Sequence, residues 1–315
     1  ADMAVEETHK GERGGLYGDG SNTPPSDHSG NALRLAGEIQ ALDAIGRKSS
    51  DGKIGMISIG MSNTSLKSEG FADRLDMESG INPRLVFVNG AQGSRDAPRW
   101  AGTDRPWTVL QNRLADSGLS NDQVQILWME QADAQPAENG EYPDHAEVLA
   151  ADMLTILNRA QELFPNLSIA YLSSRTFAGY AQTDLNPEPY AYESAFAVRS
   201  LIQEQIAGNP HLNWDPAVGP VMSPLLLWGP YFWADGQAAR SDGLTWEVED
   251  FRSDGTHPSK RGVAKVVDLM FDFFESDPTA ENWFTATSIQ GGPQVVETKI
   301  KKSGSTGQIQ WLGLG

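Results

Sequence analysis

Short runs that are apolar at nearly every position recur along this chain. They are separated by longer stretches whose apolar residues return every three or four positions. Residues 54–59, 85–88, 123–129, 167–172 and 225–228 are the short runs, and each reads as a strand. A strand without polar alternation is covered on both faces, as in a parallel sheet between helical layers. Leu33, Leu35, Ile39 and Leu42 place a helix over residues 31–42. Leu149, Met153, Ile156 and Leu157 fall on one face of a long helix over 145–164. Further helices are predicted at 190–206 and 258–274, and residues 60–79 read as helix or loop. Strands alternating with helices imply an α/β protein, a single three-layer α/β/α sandwich around a mostly parallel sheet.

The two ends depart from that rhythm. Residues 1–30 are rich in Gly, Pro and Ser and carry no period, so they are expected as an extended arm, with Tyr17 to Asn22 packed over the domain. The core is expected over 31–284. Residues 294–300 and 308–312 alternate about a Ser-Gly loop, which predicts a β-hairpin in a 285–315 extension or the start of a following module.

Composition narrows the function. A net charge of −18 disfavours nucleic-acid binding, which needs clustered Lys and Arg. No apolar run approaches the ~20 residues of a membrane span. Cysteine is absent, which excludes a disulfide framework, a thiolate nucleophile and cysteine-ligated zinc. Strong acidity and a first residue that is Ala1 rather than Met suit a trimmed protein of a secreted or periplasmic setting; a cytoplasmic one stays open.

Chemistry concentrates at two places. Asp254-Gly-Thr-His257 sets a carboxylate and an imidazole in one compact turn ahead of the last predicted helix. Far earlier, the strand at 54–59 runs into Gly60-Met-Ser62-Asn63, a turn that carries a hydroxyl. An alcohol is protonated at neutral pH and attacks only when a base takes its proton, and the base works best when an acid orients it. Ser62, His257 and Asp254 supply those three parts. Each has a structural reading too: a turn serine, a helix-start histidine, and an N-cap aspartate. Of the other histidines, His9 and His28 lie in the arm, and His145 and His211 flank helices as caps or surface residues.

The order and spelling of these motifs resemble the SGNH (GDSL-type) hydrolase superfamily, a flavodoxin-like fold, over roughly residues 50–277. The family's nucleophilic Ser follows the first strand and its Asp-x-x-His precedes the last helix. Val86-Phe-Val-Asn89-Gly90 is similar to the second family block, and 123–133 sits where the third, usually Gly-x-Asn-Asp, would follow a strand. The resemblance implies a Ser62–His257–Asp254 triad and an oxyanion hole from the amides of Ser62 and Gly90. Two departures stand out: Met61 replaces the Asp that usually precedes the Ser, and no Asn occupies the third block. Gln131 is then the expected third donor, since Glu130 and Asp133 would repel an oxyanion; its structural reading is a side chain that satisfies backbone groups in its loop.

Asn63, Arg175, Tyr231 and Trp233 are expected substrate contacts. Arg175 could instead form a salt bridge to a helix carboxylate such as Glu193. Aromatic faces near 228–233 suit sugar rings, so the expected activity is cleavage of short acyl esters, acetyl above all, on a carbohydrate, without cofactor or metal. A catalytically silent glycan-binding protein is the alternative. A metal-dependent hydrolase using His28 and His257 lacks any metal-binding spacing.

Overall fold

The computed structural model describes residue 3 and residues 7–286. A two-strand hairpin, β1 (Thr8–His9) and β2 (Glu12–Arg13), precedes α1 (Ser26–Glu38). The body follows as β3 (Ile54–Gly60), α2 (Ser62–Leu75), β4 (Leu85–Val88), α3 (Ala97–Gly102), α4 (Arg105–Asp116), β5 (Val124–Glu130), α5 (Asp144–Leu163), β6 (Ile169–Leu172), α6 (Tyr190–Ile206), β7 (Leu225–Trp228), α7 (Lys260–Ser276) and α8 (Glu281–Phe284). The central sheet has five strands in the order β4-β3-β5-β6-β7, and every pairing in it is parallel. The chain reverses its direction of travel across the sheet between β3 and β5, and ligands of such sheets bind beyond the strand ends at that switch.

Alternate side chains of the strands feed two separate cores. Met56, Ile126, Trp128, Ile169, Tyr171, Leu225 and Leu227 pack with α1, α2, α7 and α8. Ile57, Ile59, Leu127, Met129, Ala170, Leu172 and Leu226 pack with α3 to α6. Both sets are buried, which is why the strands read as continuous apolar runs. Phe71 is a centre of the first core, its ring 5.2 Å from Phe271 and 5.8 Å from Phe274. Burying each such side chain is worth about 1.5–3 kcal/mol. Gly60 closes β3 where no side chain fits: a Cβ there would stand 2.3 Å from the Glu130 carbonyl oxygen and from Thr64 Oγ1.

Several boundaries differ from expectation. The first helix starts at Ser26, inside the predicted arm, because Pro24-Pro25 fixes the entry and Asp27 favours a helix N-terminus. It ends at Glu38, and Leu42 instead bridges to Lys48 and Lys53. Helices α3 and α4 were not anticipated; each is short or starts at a Pro, and each buries a tryptophan, Trp100 and Trp107. The hairpin predicted over 294–312 lies outside the described residues.

The arm lies against α6 and β7. His9 Nε2 and Lys10 Nζ reach Glu193 at 2.7 and 2.9 Å. Arg199 pairs with Glu12 and donates to the Arg13 carbonyl at 2.6 Å. Gln203 donates to the Tyr17 carbonyl at 3.0 Å, and Trp228 Nε1 to that of Leu16 at 2.7 Å. Packing is tight from Gly14 to Gly18, whereas Ser21, Asn22 and Thr23 are exposed. The part of the arm held down is therefore shifted towards the N-terminus of the expected stretch.

Candidate active site

Ser62 is the first residue of α2, and only Met61 separates it from the end of β3. Met61 is extended (φ −88°, ψ −163°), so the chain turns sharply from strand to helix. That turn leaves the Ser62 hydroxyl half-buried at the carboxyl edge of the sheet, at the electropositive end of a helix. Its Oγ lies 2.7 Å from His257 Nε2.

His257 and Asp254 sit in a turn that is pinned at several points. Gly255 N–H donates to the Arg252 carbonyl, and Arg252 N–H to that of His257, both at 2.8 Å. Gly255 has φ +66°, and a Cβ there would come within 1.8 Å of the Tyr180 carbonyl oxygen, so only glycine fits. Gln182 N–H in turn donates to the Asp254 carbonyl at 2.9 Å. Asp254 Oδ1 accepts the backbone N–H groups of Thr256 and His257, each at 3.0 Å, and Oδ2 stands 2.6 Å from His257 Nδ1.

Partial burial works to raise the Asp254 carboxyl, but the His257 and Thr256 backbone bonds and the imidazole outweigh it and hold it below the usual carboxylate range. An ionised carboxylate only accepts, so Nδ1 carries the proton and Nε2 is left as the acceptor facing Ser62. The N-cap of α7 is Ser259, whose Oγ accepts the Gly262 N–H at 3.3 Å; Asp254 does not fill that role.

Asn63 is buried, and its Nδ2 donates to the Thr256 carbonyl at 3.0 Å. It ties α2 to the His257 turn, while its buried Oδ1 has no hydrogen-bond partner among the described residues. The next strand brings up Gln131. Gly60 pairs with Glu130 across β3 and β5, so Gln131 follows at the level of Met61, the residue before Ser62. Gln131 is 2% exposed. Its Oε1 accepts the Ala132 N–H at 3.2 Å, while its buried Nε2 has no hydrogen-bond partner among the described residues. A buried donor left unmet is costly unless something arrives to accept from it. Gly90 is buried just after β4, its backbone pressed against the Ser58 carbonyl.

Arg175 is placed differently from expectation. It is buried, and its Nη1 donates to Glu130 Oε1 at 2.7 Å. Its salt bridge is to the strand-end Glu130 rather than to a helix carboxylate such as Glu193, which meets His9, Lys10 and His145. His145 is buried, with Nε2 2.7 Å from Glu193 Oε2, so it is neither a cap nor a surface residue. His28 is buried on α1 with Nε2 2.9 Å from the Leu226 carbonyl oxygen, which removes it from any site shared with His257. Among the described residues no three His, Cys, Asp or Glu side chains converge as a metal site, and no helix is long and apolar enough to cross a membrane.

Sequence reading missed Lys67. It is fully buried on α2, with Nζ 2.6 and 2.8 Å from the two Glu130 oxygens. Burial pulls its ammonium down to about 8, with Glu130 opposing and Arg175 assisting. No sequence signal marks a lysine for such burial, because the residue type is almost always solvated.

Two cavities lie among the loops that follow the strands. One, of about 690 Å³, is lined by Asp96, Asp133, Glu138 and Asp184 with Arg99 and Asn139. Its 184–185 wall continues from Thr183, whose hydroxyl is 3.5 Å from that of Thr256 in the His257 turn. The other, about 640 Å³, lies between the arm and the loops after β6 and β7, with Phe177, Tyr192 and Trp233 on its walls. Trp233 Nε1 donates to Glu188 at 2.8 Å and its ring is 4.6 Å from that of Tyr192. Tyr231 is half-buried, its ring 5.8 Å from Trp228.

No protein-family model matches the chain, and no curated protein matches it. Among solved structures it is similar to a provisionally named acylhydrolase from Bacteroides fragilis, at 11% identity over 79% of this chain and 97% of that one, with a TM-score of 0.41. A GDSL-like lipase from Bacteroides thetaiotaomicron aligns at 10% identity over 78% and 96%, TM-score 0.40. The C-terminal catalytic domain of Streptococcus pneumoniae peptidoglycan O-acetyltransferase A aligns at 14% over 71% and 94%, TM-score 0.35. Superpositions this loose carry no inference about activity, and the α/β fold stands on the sheet order and its parallel pairings.

Proposed function

We propose that this protein is a serine ester hydrolase of the SGNH type, with Ser62 as nucleophile, His257 as base and Asp254 as the acid that orients it. The observation that carries the reading is the continuous chain Ser62 Oγ–His257 Nε2–His257 Nδ1–Asp254 Oδ2, at 2.7 and 2.6 Å. In the first half-reaction Ser62 Oγ bonds to the ester carbonyl carbon as its proton passes to His257 Nε2. The carbonyl electron pair moves onto oxygen, then returns and expels the alcohol, which takes the proton from His257. Water, deprotonated by the same imidazole, then releases the acid from Ser62.

The oxyanion needs donors already aimed at it. The Ser62 and Gly90 amides and the Gln131 carboxamide fill that role in this reading, and the unpaired Gln131 Nε2 supports it. Short acyl esters of a hydroxyl-rich alcohol, a carbohydrate above all, are the substrates favoured. The 690 Å³ cavity carries four carboxylates against one arginine, so it disfavours anionic molecules and accepts hydroxyl donors. Burial first, then Asp152, pushes Asp133 in that cavity up to about 7, with the Asn139 bond opposing and Asp96 adding to the rise. Trp233 and Phe177 offer ring faces in the second cavity.

The test is turnover of p-nitrophenyl acetate before and after treatment with a serine-directed phosphonate. Saturable hydrolysis that the reagent abolishes is expected. A rate no higher than that of Ser62→Ala protein overturns the enzyme reading and leaves a binding protein on this fold.

A further inference from the structure

Three buried charged side chains meet at the end of β5 without joining the Ser62–His257–Asp254 chain. Lys67 Nζ meets both Glu130 oxygens, at 2.6 and 2.8 Å, and Arg175 Nη1 meets Oε1 at 2.7 Å. The Lys67 and Glu130 side chains are 0% exposed and that of Arg175 is 5%. Two cations on one carboxylate leave a net positive charge where water screens poorly. Stability does not account for it: a buried ion pair is commonly matched by apolar residues of the same volume, and a second cation adds desolvation without a second anion. Arg175 Nε moreover has no hydrogen-bond partner among the described residues.

The cluster is made by the same elements as the site. Lys67 is on α2, which begins at Ser62; Glu130 ends β5, directly before Gln131; Arg175 follows β6. Thr64 Oγ1, also on α2, donates to the Glu130 carbonyl at 2.8 Å. The end of β5 is thereby bonded twice to the serine's helix. The loop after β7 contributes the Phe232 ring, 5.0 Å from Lys67 Nζ, which covers the ammonium with carbon. Glu130 and Arg175 are the charged groups that act on Lys67.

We propose that Lys67, Glu130 and Arg175 are positioning residues for the hydrolytic reaction: they hold Gln131 beside Ser62, and their net positive charge stabilises the oxyanion. This inference rests on the serine hydrolase reading. When Ser62 attacks, a negative oxygen and an imidazolium appear together. Asp254 balances the imidazolium, and the fixed charge next to Gln131 favours the oxygen. Lys67 carries its proton below about 8 and loses it above. Raising the pH through that point cancels the net charge, so kcat falls on the alkaline side.

The experiment follows kcat and KM for p-nitrophenyl acetate from roughly pH 6 to 10, corrected for spontaneous hydrolysis. The parent should lose kcat as pH rises through the Lys67 titration, with KM nearly constant. Lys67→Met should lower kcat about tenfold, less than removal of a direct donor, and show no alkaline limb. The double variant Lys67→Met/Glu130→Gln restores one net charge on Arg175, and should be faster than the single variant although its packing is more disturbed. A flat alkaline profile in an active parent overturns the inference and needs no variant to fold. So does a double variant slower than the single one. A parent without Ser62-dependent turnover at any pH overturns the hydrolase reading, and this inference with it.

Discussion

His257 and His145 both face a carboxylate, at 2.6 and 2.7 Å, yet the two pairs are built differently. The Asp254–His257 pair is local, formed within one turn, and its side chains keep 34% and 22% of their exposure. The second nitrogen of His257 meets a serine hydroxyl at the mouth of the sheet. Glu193 is wholly buried and gathers His9, Lys10 and His145 from distant parts of the chain. None of these three groups meets a hydroxyl nucleophile through a second nitrogen. A histidine–carboxylate pair thus reads as chemistry when its far nitrogen meets an attackable hydroxyl at a solvent-reachable strand end. Otherwise it is a pin that fastens the arm to the domain.

The largest expected effect lies on the chemical side of that contrast. Ser62→Ala and His257→Ala should each cut kcat for a simple acetyl ester by about 10⁴–10⁶, and the double variant should be no worse. Asp254→Asn should cost about 10²–10⁴ through loss of the required tautomer, with the melting temperature little changed. Asp254 stays ionised into acid because its carboxyl is held low, so its own protonation should not limit kcat on mild acidification. Steady-state kinetics beside circular-dichroism melts would separate chemistry from folding; additive losses would show that the groups do not work as a unit.

Gln131 comes next. Gln131→Ala removes the unpaired donor, and kcat should fall about 10²–10³ with KM nearly unchanged. A rate within a few-fold of the parent would assign the oxyanion to backbone amides alone.

The smallest effect on catalysis is expected at the pin. Glu193→Ala removes the shared partner of His9, Lys10 and the buried His145, and should cost about 1–3 kcal/mol of stability while kcat changes less than a few-fold. Burial acts to raise the Glu193 carboxyl, but its bonds to His9, Lys10 and His145 prevail and lower it. Its stabilisation is therefore complete above the ordinary carboxylate pKa of about 4.3, and is lost as pH falls towards the lowered one. Limited proteolysis of residues 7–25 against pH would follow arm release. A variant arm as resistant as the parent's would show that Glu193 is not what holds it.

The same contrast explains what could be read from the chain. Strands β3 and β5 were legible because all seven residues of each are buried, leaving no polar alternation. Ser62, Asp254 and His257 were legible because a strand end and a compact turn mark them locally. Helices α3 and α4 escaped because Pro98, Gly102 and Pro106 break the helical period around Trp100 and Trp107. The burial of Lys67 and the true partners of Glu193 escaped for another reason. The partners of Glu193 are 48 to 184 positions away and that of Lys67 is 63, and nothing local distinguishes a carboxylate or lysine that will be buried from one that stays in water. Arg175 drew notice at a strand end, but its partner Glu130 became apparent only once β5 and β6 stood side by side.

The central claim, that His257 activates Ser62, is tested most directly by fluorophosphonate labelling followed by peptide mass spectrometry. One adduct is expected, on the peptide bearing Ser62, with labelling slowed by orders of magnitude in His257→Ala protein. An adduct on any other serine instead, or equal labelling rates with and without His257, would contradict it.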